Sequence, residues 1–163
     1  MRNYGPRYPR GGFAGLGQEG PGAPGQAATE KVIKDFYVYR TTYDSLTAGT
    51  SQSDNFTVEA DSDFMLHKLA YFADIALAAQ EEASRVIPLA TALITDTGSG
   101  RQLSSGAIPL GSYFGSGRLP FILPAPKMFM ARSVVQVQVE NFSTGTDYNI
   151  KLAFIGYKIF RLS

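Results

Sequence analysis

The chain contains one histidine, His67, and no cysteine. That excludes disulfides, thiolate metal sites and thiol nucleophiles. Asp61 and Asp63 lie close to His67 and are the nearest thing to a set of metal donors. Asp61-Ser62-Asp63 lacks the glycine and downstream glutamate of a calcium loop, so a turn or cap role suits these aspartates better. With no companion histidine and no nucleophile elbow, His67 reads as a partly exposed strand residue. Gly111-Ser112-Tyr113-Phe114-Gly115-Ser116-Gly117-Arg118 is glycine-rich, but it lacks the Gly-Lys-Ser/Thr ending of a phosphate-binding loop, and Gly98-Ser99-Gly100 opens no helix. Asp96 is the remaining acid of interest. The apolar run Leu93-Ile94-Thr95 carries it into Thr97-Gly98-Ser99-Gly100-Arg101, a strong turn signal. In such a turn its side chain accepts backbone or arginine hydrogen bonds, with Arg101 the arginine at hand.

Leu93-Ile94-Thr95-Asp96-Thr97-Gly98-Ser99 resembles the Asp-Thr-Gly-Ser loop of aspartic proteases. Phe154-Ile155-Gly156 is similar to the apolar-apolar-Gly element behind that loop in retroviral-type enzymes, and Gly115-Ser116-Gly117 stands where a flap would. The resemblance implies a dimer with one Asp96 per subunit, the two carboxylates sharing a proton to activate water. Three features oppose it. The sequence runs only seven residues past Gly156, and Tyr157-Lys158-Ile159-Phe160 reads as continuing strand where the family needs a helix. The Asp96 loop is ordinary turn chemistry. The segment after the flap carries Pro120, Pro124 and Pro126. No catalytic, cofactor-binding or metal-ligating residue is assigned, and the chain is read as not an enzyme.

The elements around these residues are strand-like. Residues 31–43 are rich in β-branched and aromatic side chains, and residues 55–59 form a short second run. Residues 86–95 are apolar up to the Asp96 turn. Residues 119–130 are apolar but hold the three prolines, which confines them to an edge strand or a crossing loop. Residues 133–140 show the cleanest period of two, with Val135, Val137 and Val139 against Gln136, Gln138 and Glu140. Residues 148–160 are apolar on both faces, as in a strand near the middle of a sheet. Residues 61–83 are ambiguous between helix and strand. Ala73, Ala76, Ala78 and Ala79 favour a helix, whereas Phe64, Leu66, Lys68, Ala70 and Phe72 alternate with Met65, His67, Leu69 and Tyr71. The preferred reading is a strand over residues 64–75 followed by a loop or short helical turn. Several short strands at regular spacing predict an all-β, jelly-roll-like antiparallel β-sandwich over residues 30–163.

Residues 1–29 are a different material. They hold eight of the 17 glycines and four of the nine prolines, no isoleucine or valine, and one leucine, Leu16. Such a segment buries too little apolar surface to offset its ordering entropy. It is expected to be a flexible arm when free. Arg2, Tyr4, Arg7, Tyr8 and Arg10, interleaved with prolines, are its expected docking residues. Over the whole chain of 163 residues, 44% are hydrophobic and only 18% charged, with net charge +1. The charged share is below the usual value of about a quarter, as for a surface partly covered by something other than water. The near-zero net charge gives no global field towards nucleic acid or membranes. No apolar run reaches a membrane span, and residues 1–25 contain no h-region of a signal peptide. Asn55-Phe56-Thr57 and Asn141-Phe142-Ser143 match the glycosylation pattern and are read as chance.

Residues 94–160 resemble small virion structural proteins of tailed bacteriophages, jelly-roll-like decoration or cement proteins and related accessory proteins. The resemblance lies in Ile94-Thr95-Asp96-Thr97-Gly98-Ser99-Gly100-Arg101, Ile108-Pro109-Leu110, Leu119-Pro120-Phe121-Ile122-Leu123-Pro124-Ala125-Pro126, Val135-Gln136-Val137-Gln138-Val139-Glu140-Asn141 and Ile150-Lys151-Leu152-Ala153-Phe154-Ile155-Gly156-Tyr157-Lys158-Ile159-Phe160. It implies a protein of the capsid surface, made in the host cytoplasm, that clamps neighbouring major capsid subunits without cofactor, small-molecule substrate or membrane, and with no role for nucleic acid. A homo-oligomer is expected, a trimer rather than a dimer. Tyr113, Phe114, Phe121, Ile122 and Leu123 are the candidate subunit contacts. A tail or collar adaptor, the protease above and a carbohydrate-binding sandwich remain the alternatives.

Overall fold

A computed structural model describes residues 31–78 and 82–162. The expected arm and its docking residues Arg2, Tyr4, Arg7, Tyr8 and Arg10 lie outside them. The described strands are β1 (Lys31–Leu46), β2 (Ser51–Thr57), β3 (Asp63–Ile75), β4 (Ala90–Asp96), β5 (Arg101–Gln102), β6 (Ile108–Pro109), β7 (Phe121–Phe129), β8 (Val134–Asn141) and β9 (Tyr148–Leu162). A one-turn helix, α1 (Leu110–Tyr113), and a 3-10 turn, Glu82–Ser84, interrupt them.

One sheet has the order β1-β9-β3-β7 and the other β2-β8-β4-β5, with β6 also on β4. Pairing within both is antiparallel. With β5 and β6 taken as one position, the orders read 1-8-3-6 and 2-7-4-5, the jelly roll. The expected β-sandwich is therefore what the chain forms.

The side-chain patterns explain the layers. In β8, Val135, Val137 and Val139 are fully buried and Gln136 and Gln138 exposed, the alternation of a strand with one wet face. β9 lies between β1 and β3, in mid-sheet as expected. β3 is a strand despite its alanines, because pairing on both edges outweighs helix propensity. Its alternation changes phase at His67. Leu66 pairs with Gly156 and Lys68 with Ile155, so His67 is an extra residue, a β-bulge. Before it Phe64 and Leu66 face the core, after it Leu69 and Ala73 do.

β7 is the edge strand that its prolines required. Between Ile122 and Lys127, which pair with Lys68 and Leu66, residues 123–126 run opposite His67 alone. Pro124 and Pro126 fall in this excursion, where no ladder hydrogen bond is lost. Two expectations shift in detail. The second strand begins at Ser51 rather than Asn55, and the fourth begins at Ala90 rather than Val86.

An aromatic cluster joins the sheets. Phe56 of β2 stacks on Tyr39 of β1 at 4.6 Å and meets Phe154 of β9 at 4.9 Å, while Phe64 of β3 stands edge-on to Tyr39 at 4.8 Å. Such pairs add to the hydrophobic term, about 0.5–1.5 kcal/mol each. Tyr43 crosses the sandwich and donates its hydroxyl to the Val137 carbonyl at 2.7 Å. Buried Asn141 donates to the carbonyls of Leu46 and Thr146 at 2.9 and 2.8 Å and accepts from the Ser143 amide. It ties the β8–β9 turn to the end of β1, so the glycosylation pattern there is a structural asparagine.

Candidate functional site

The two sheets present different outer faces. On β2 and β8 the outward positions are Ser51, Ser53, Asn55, Gln136, Gln138 and Glu140, cross-strand partners of one another. This is a hydrated face. On the four-stranded sheet many outward positions are apolar. Phe36 pairs with Tyr157, Tyr157 with Met65 and Met65 with Met128, a single row across β1, β9, β3 and β7. The next row runs Val38, Ile155, Lys68, Ile122. Phe36 is 67% exposed and Ile122 65%, and Val38, Tyr157 and Met128 are also exposed. Scattered exposed apolar residues are normal in a soluble protein, but a contiguous patch marks a contact surface.

Sequence reasoning did not assemble this face. Its signals were present in the low charged share and in the apolar residues on both sides of the last strand. What was missing was the register that sets Phe36 beside Tyr157 and Met65 beside Met128.

The predicted contact residues fall into three groups. Tyr113, Phe121 and Leu123 come together around a shallow hollow of about 330 Å³, also lined by Pro124 and Lys127. The Tyr113 and Phe121 rings lie 6.0 Å apart, and burial pushes the Tyr113 phenol above its ordinary value. Ile122 points away, onto the outer face. Phe114 is a correction. It is 2% exposed and sits edge-on to Phe154 in the core, so it offers no surface. Tyr113 lies in α1 and Phe114 ends it, rather than both lying in a loop. The phase of that turn sends Phe114 inward and leaves Tyr113 half-buried.

Asp96 ends β4 and is mostly buried. Its carboxylate accepts from the Gly98 amide at 3.2 Å and from Ser99 Oγ at 2.7 Å. This is the expected turn role, with Ser99 as the side-chain donor in place of Arg101, which instead faces Asp96 as its backbone partner on β5. Phe154-Ile155-Gly156 lies in the other sheet, in mid-strand. Gly115 is held against β3, its amide donating to Leu69 and its carbonyl accepting from Tyr71. A Cβ there would overlap the Leu119 carbonyl, so this glycine serves close packing rather than a flap.

Asp63 accepts from the Ala131 amide at 2.8 Å and from Arg161 at 3.1 Å. His67 stands edge-on to Tyr157 at 5.2 Å, with Nε2 buried and without a hydrogen-bond partner. Among the described residues no group of three or more His, Cys, Asp or Glu is placed to hold a metal ion. No helix among them is long and apolar enough to cross a membrane.

Near the start of β1, Lys158 meets Glu59 at 2.6 Å and lies 3.9 Å from the Tyr37 ring centroid. Burial pulls the pKa of the Lys158 ammonium down, but the Glu59 carboxylate, together with Tyr37 and Tyr39, more than offsets this, and the pKa is raised.

No protein family matches the chain, and no curated protein is similar to it. Among solved structures, the chain is similar to one in the capsid asymmetric unit of cyanophage Pam1, at 15% identity and a TM-score of 0.37, over 86% of this chain and 94% of that one. It is also similar to the VP2 subviral particle of infectious bursal disease virus, at 10% identity and a TM-score of 0.32, over 81% of this chain and 33% of that one. At these TM-scores the likenesses identify no relative.

Proposed function

We propose that this protein is a virion structural protein, a cement or decoration protein that binds the capsid surface and clamps neighbouring major capsid subunits. It would stabilise the DNA-filled head. The observation that carries the reading is the apolar row Phe36–Tyr157–Met65–Met128 across the exposed face of the four-stranded sheet. A jelly roll alone assigns no function, whereas an exposed apolar sheet face calls for a partner. The resemblance of residues 94–160 to phage decoration proteins and the low charged share agree with it. The hollow at Tyr113, Phe121 and Leu123 suits a contact between copies, which a cyclic trimer satisfies with one heterologous interface.

The arm is proposed as the second contact. An extended segment of 28 residues reaches up to roughly 90 Å, beyond its own domain's footprint. Its linkage to the domain makes the second contact intramolecular. Arg2, Tyr4, Arg7, Tyr8 and Arg10 are of the types that dominate binding hot spots. The test deletes residues 2–28 and measures melting of the free protein and its occupancy on particles stripped of it. Nearly unchanged melting with a large fall in occupancy is expected. Unchanged occupancy makes the arm a passive tail, and full-length protein that never occupies the particles overturns the virion reading.

A further inference from the structure

The apolar outer face of β1, β9, β3 and β7 carries an excess of positive charge beside its apolar rows. Arg40 and Lys151 are exposed and Lys68 half-exposed, all at outward positions beside the apolar rows. The outward carboxylates of β3, Asp63 and Asp74, are 7% and 3% exposed, and the exposed Asp44 lies at the far end of β1, beyond Thr42. From this juxtaposition, and resting on the structural-protein reading above, we infer that this face docks an apolar protein surface rimmed by carboxylates, on a chain other than its own.

Charge decides between occupants. A second copy docked face to face about a two-fold axis would bring Arg40, Lys68 and Lys151 against their own kind, which repels at close range. A nucleic acid would satisfy the three cations but leave Val38, Ile122 and Met128 against phosphates and sugars, with no gain from their burial. A carboxylate-rimmed apolar patch satisfies both. The apolar rows lose water, and the rim cations find partners that set orientation and speed association. The outer face of β2 and β8 has neither feature and remains in water.

The test uses the full chain and two variants of equal charge change. One is Arg40→Gln, Lys68→Gln, Lys151→Gln on the apolar face. The other is Ser53→Glu, Thr57→Glu, Gln136→Glu on the opposite sheet. Both are first checked for wild-type melting, and Arg40→Gln alone replaces the triple variant if that one melts early. The probes are a sensor surface of mixed alkyl and carboxylate groups, one of mixed alkyl and ammonium groups, oligo-dT, and particles stripped of the protein. The wild type should be retained on the carboxylate surface and not on the ammonium one. The apolar-face variant should lose at least about tenfold in retention and in occupancy, and the opposite-sheet variant less than about twofold.

Equal retention on the two surfaces, or equal losses in the two variants, overturns the inference. So does oligo-dT that competes for the same face, or a concentration-dependent dimer in sedimentation that Phe36→Ser abolishes. The two readings fail separately. Occupancy that ignores the apolar-face variant removes this dock and leaves the virion reading. Retention through this face with no occupancy keeps the dock and removes the virion reading.

Discussion

Gly156 of β9 lies directly against the Met65 carbonyl of β3, so closely that a Cβ at residue 156 would overlap the carbonyl oxygen. The approach arises at the bulge. The extra residue His67 pushes the β3 backbone towards β9, and only a residue without a side chain fits opposite. Gly156→Ala therefore has to displace backbone, not a flexible side chain. The expected loss is about 2–3 kcal/mol, as for overpacking in a rigid site, read from the midpoint of urea unfolding. A loss below about 0.5 kcal/mol would show that the bulge yields freely.

Tyr43 is expected to make stability fall at high pH. Burial is the main cause that raises its pKa well above the ordinary value of 10.0. The folded state thus holds a proton that the unfolded chain releases above about pH 10. Stability from this group is complete below that pH and is lost as pH rises towards the folded value. Tyr43→Phe should cost about 1 kcal/mol at neutral pH, by removing the hydrogen bond to Val137. It should also flatten the alkaline decline, which Tyr39 and Tyr113, both raised mainly by burial, will sustain in part. Unfolding of both proteins from pH 7 to 12 measures the difference.

Asn141→Ala removes two donated hydrogen bonds and one accepted from inside the β8–β9 turn. The Leu46 carbonyl then loses this donor in a buried site, while the Thr146 carbonyl keeps the Ser143 hydroxyl. A loss of about 3 kcal/mol is expected, with amide exchange rising first around residues 141–147. A uniform rise over the whole domain would show instead that the turn does not open locally.

Asp96→Asn keeps an oxygen for the Gly98 amide and weakens the charged hydrogen bond from Ser99. The expected cost is about 1 kcal/mol. Peptide hydrolysis by the purified wild type should be at background and unchanged by the substitution. Hydrolysis present in the wild type and abolished in a folded variant would return the protease reading.

Much of the sandwich was legible from local chemistry. The Val135, Val137, Val139 alternation, the Asp96–Gly100 turn and the prolines of the edge strand each express a short-range rule. The alternation reports one buried face, glycines and aspartate permit a tight turn, and a missing N–H is tolerated at an edge. The apolar character of the last strand likewise pointed to mid-sheet, because a strand covered on both faces reads as a near-continuous apolar run.

What the sequence could not decide were relations between distant residues. The alternation of Phe64, Leu66, Lys68, Ala70 and Phe72 against Met65, His67, Leu69 and Tyr71 carries no sign that His67 is a bulge. A single inserted residue exchanges the two faces, so neither phase of the pattern was right along the whole strand. The bulge lies beside Gly156, some ninety residues later, and a side chain there would overlap the Met65 carbonyl. Phe114 looked like surface beside Tyr113, but the phase of a one-turn helix set it into the core. The apolar face itself was divided among four segments, each with one or two outward side chains. Periodicity assigns residues to a face within one strand, whereas only the pairing of β1, β9, β3 and β7 brings Phe36, Tyr157, Met65 and Met128 into one surface.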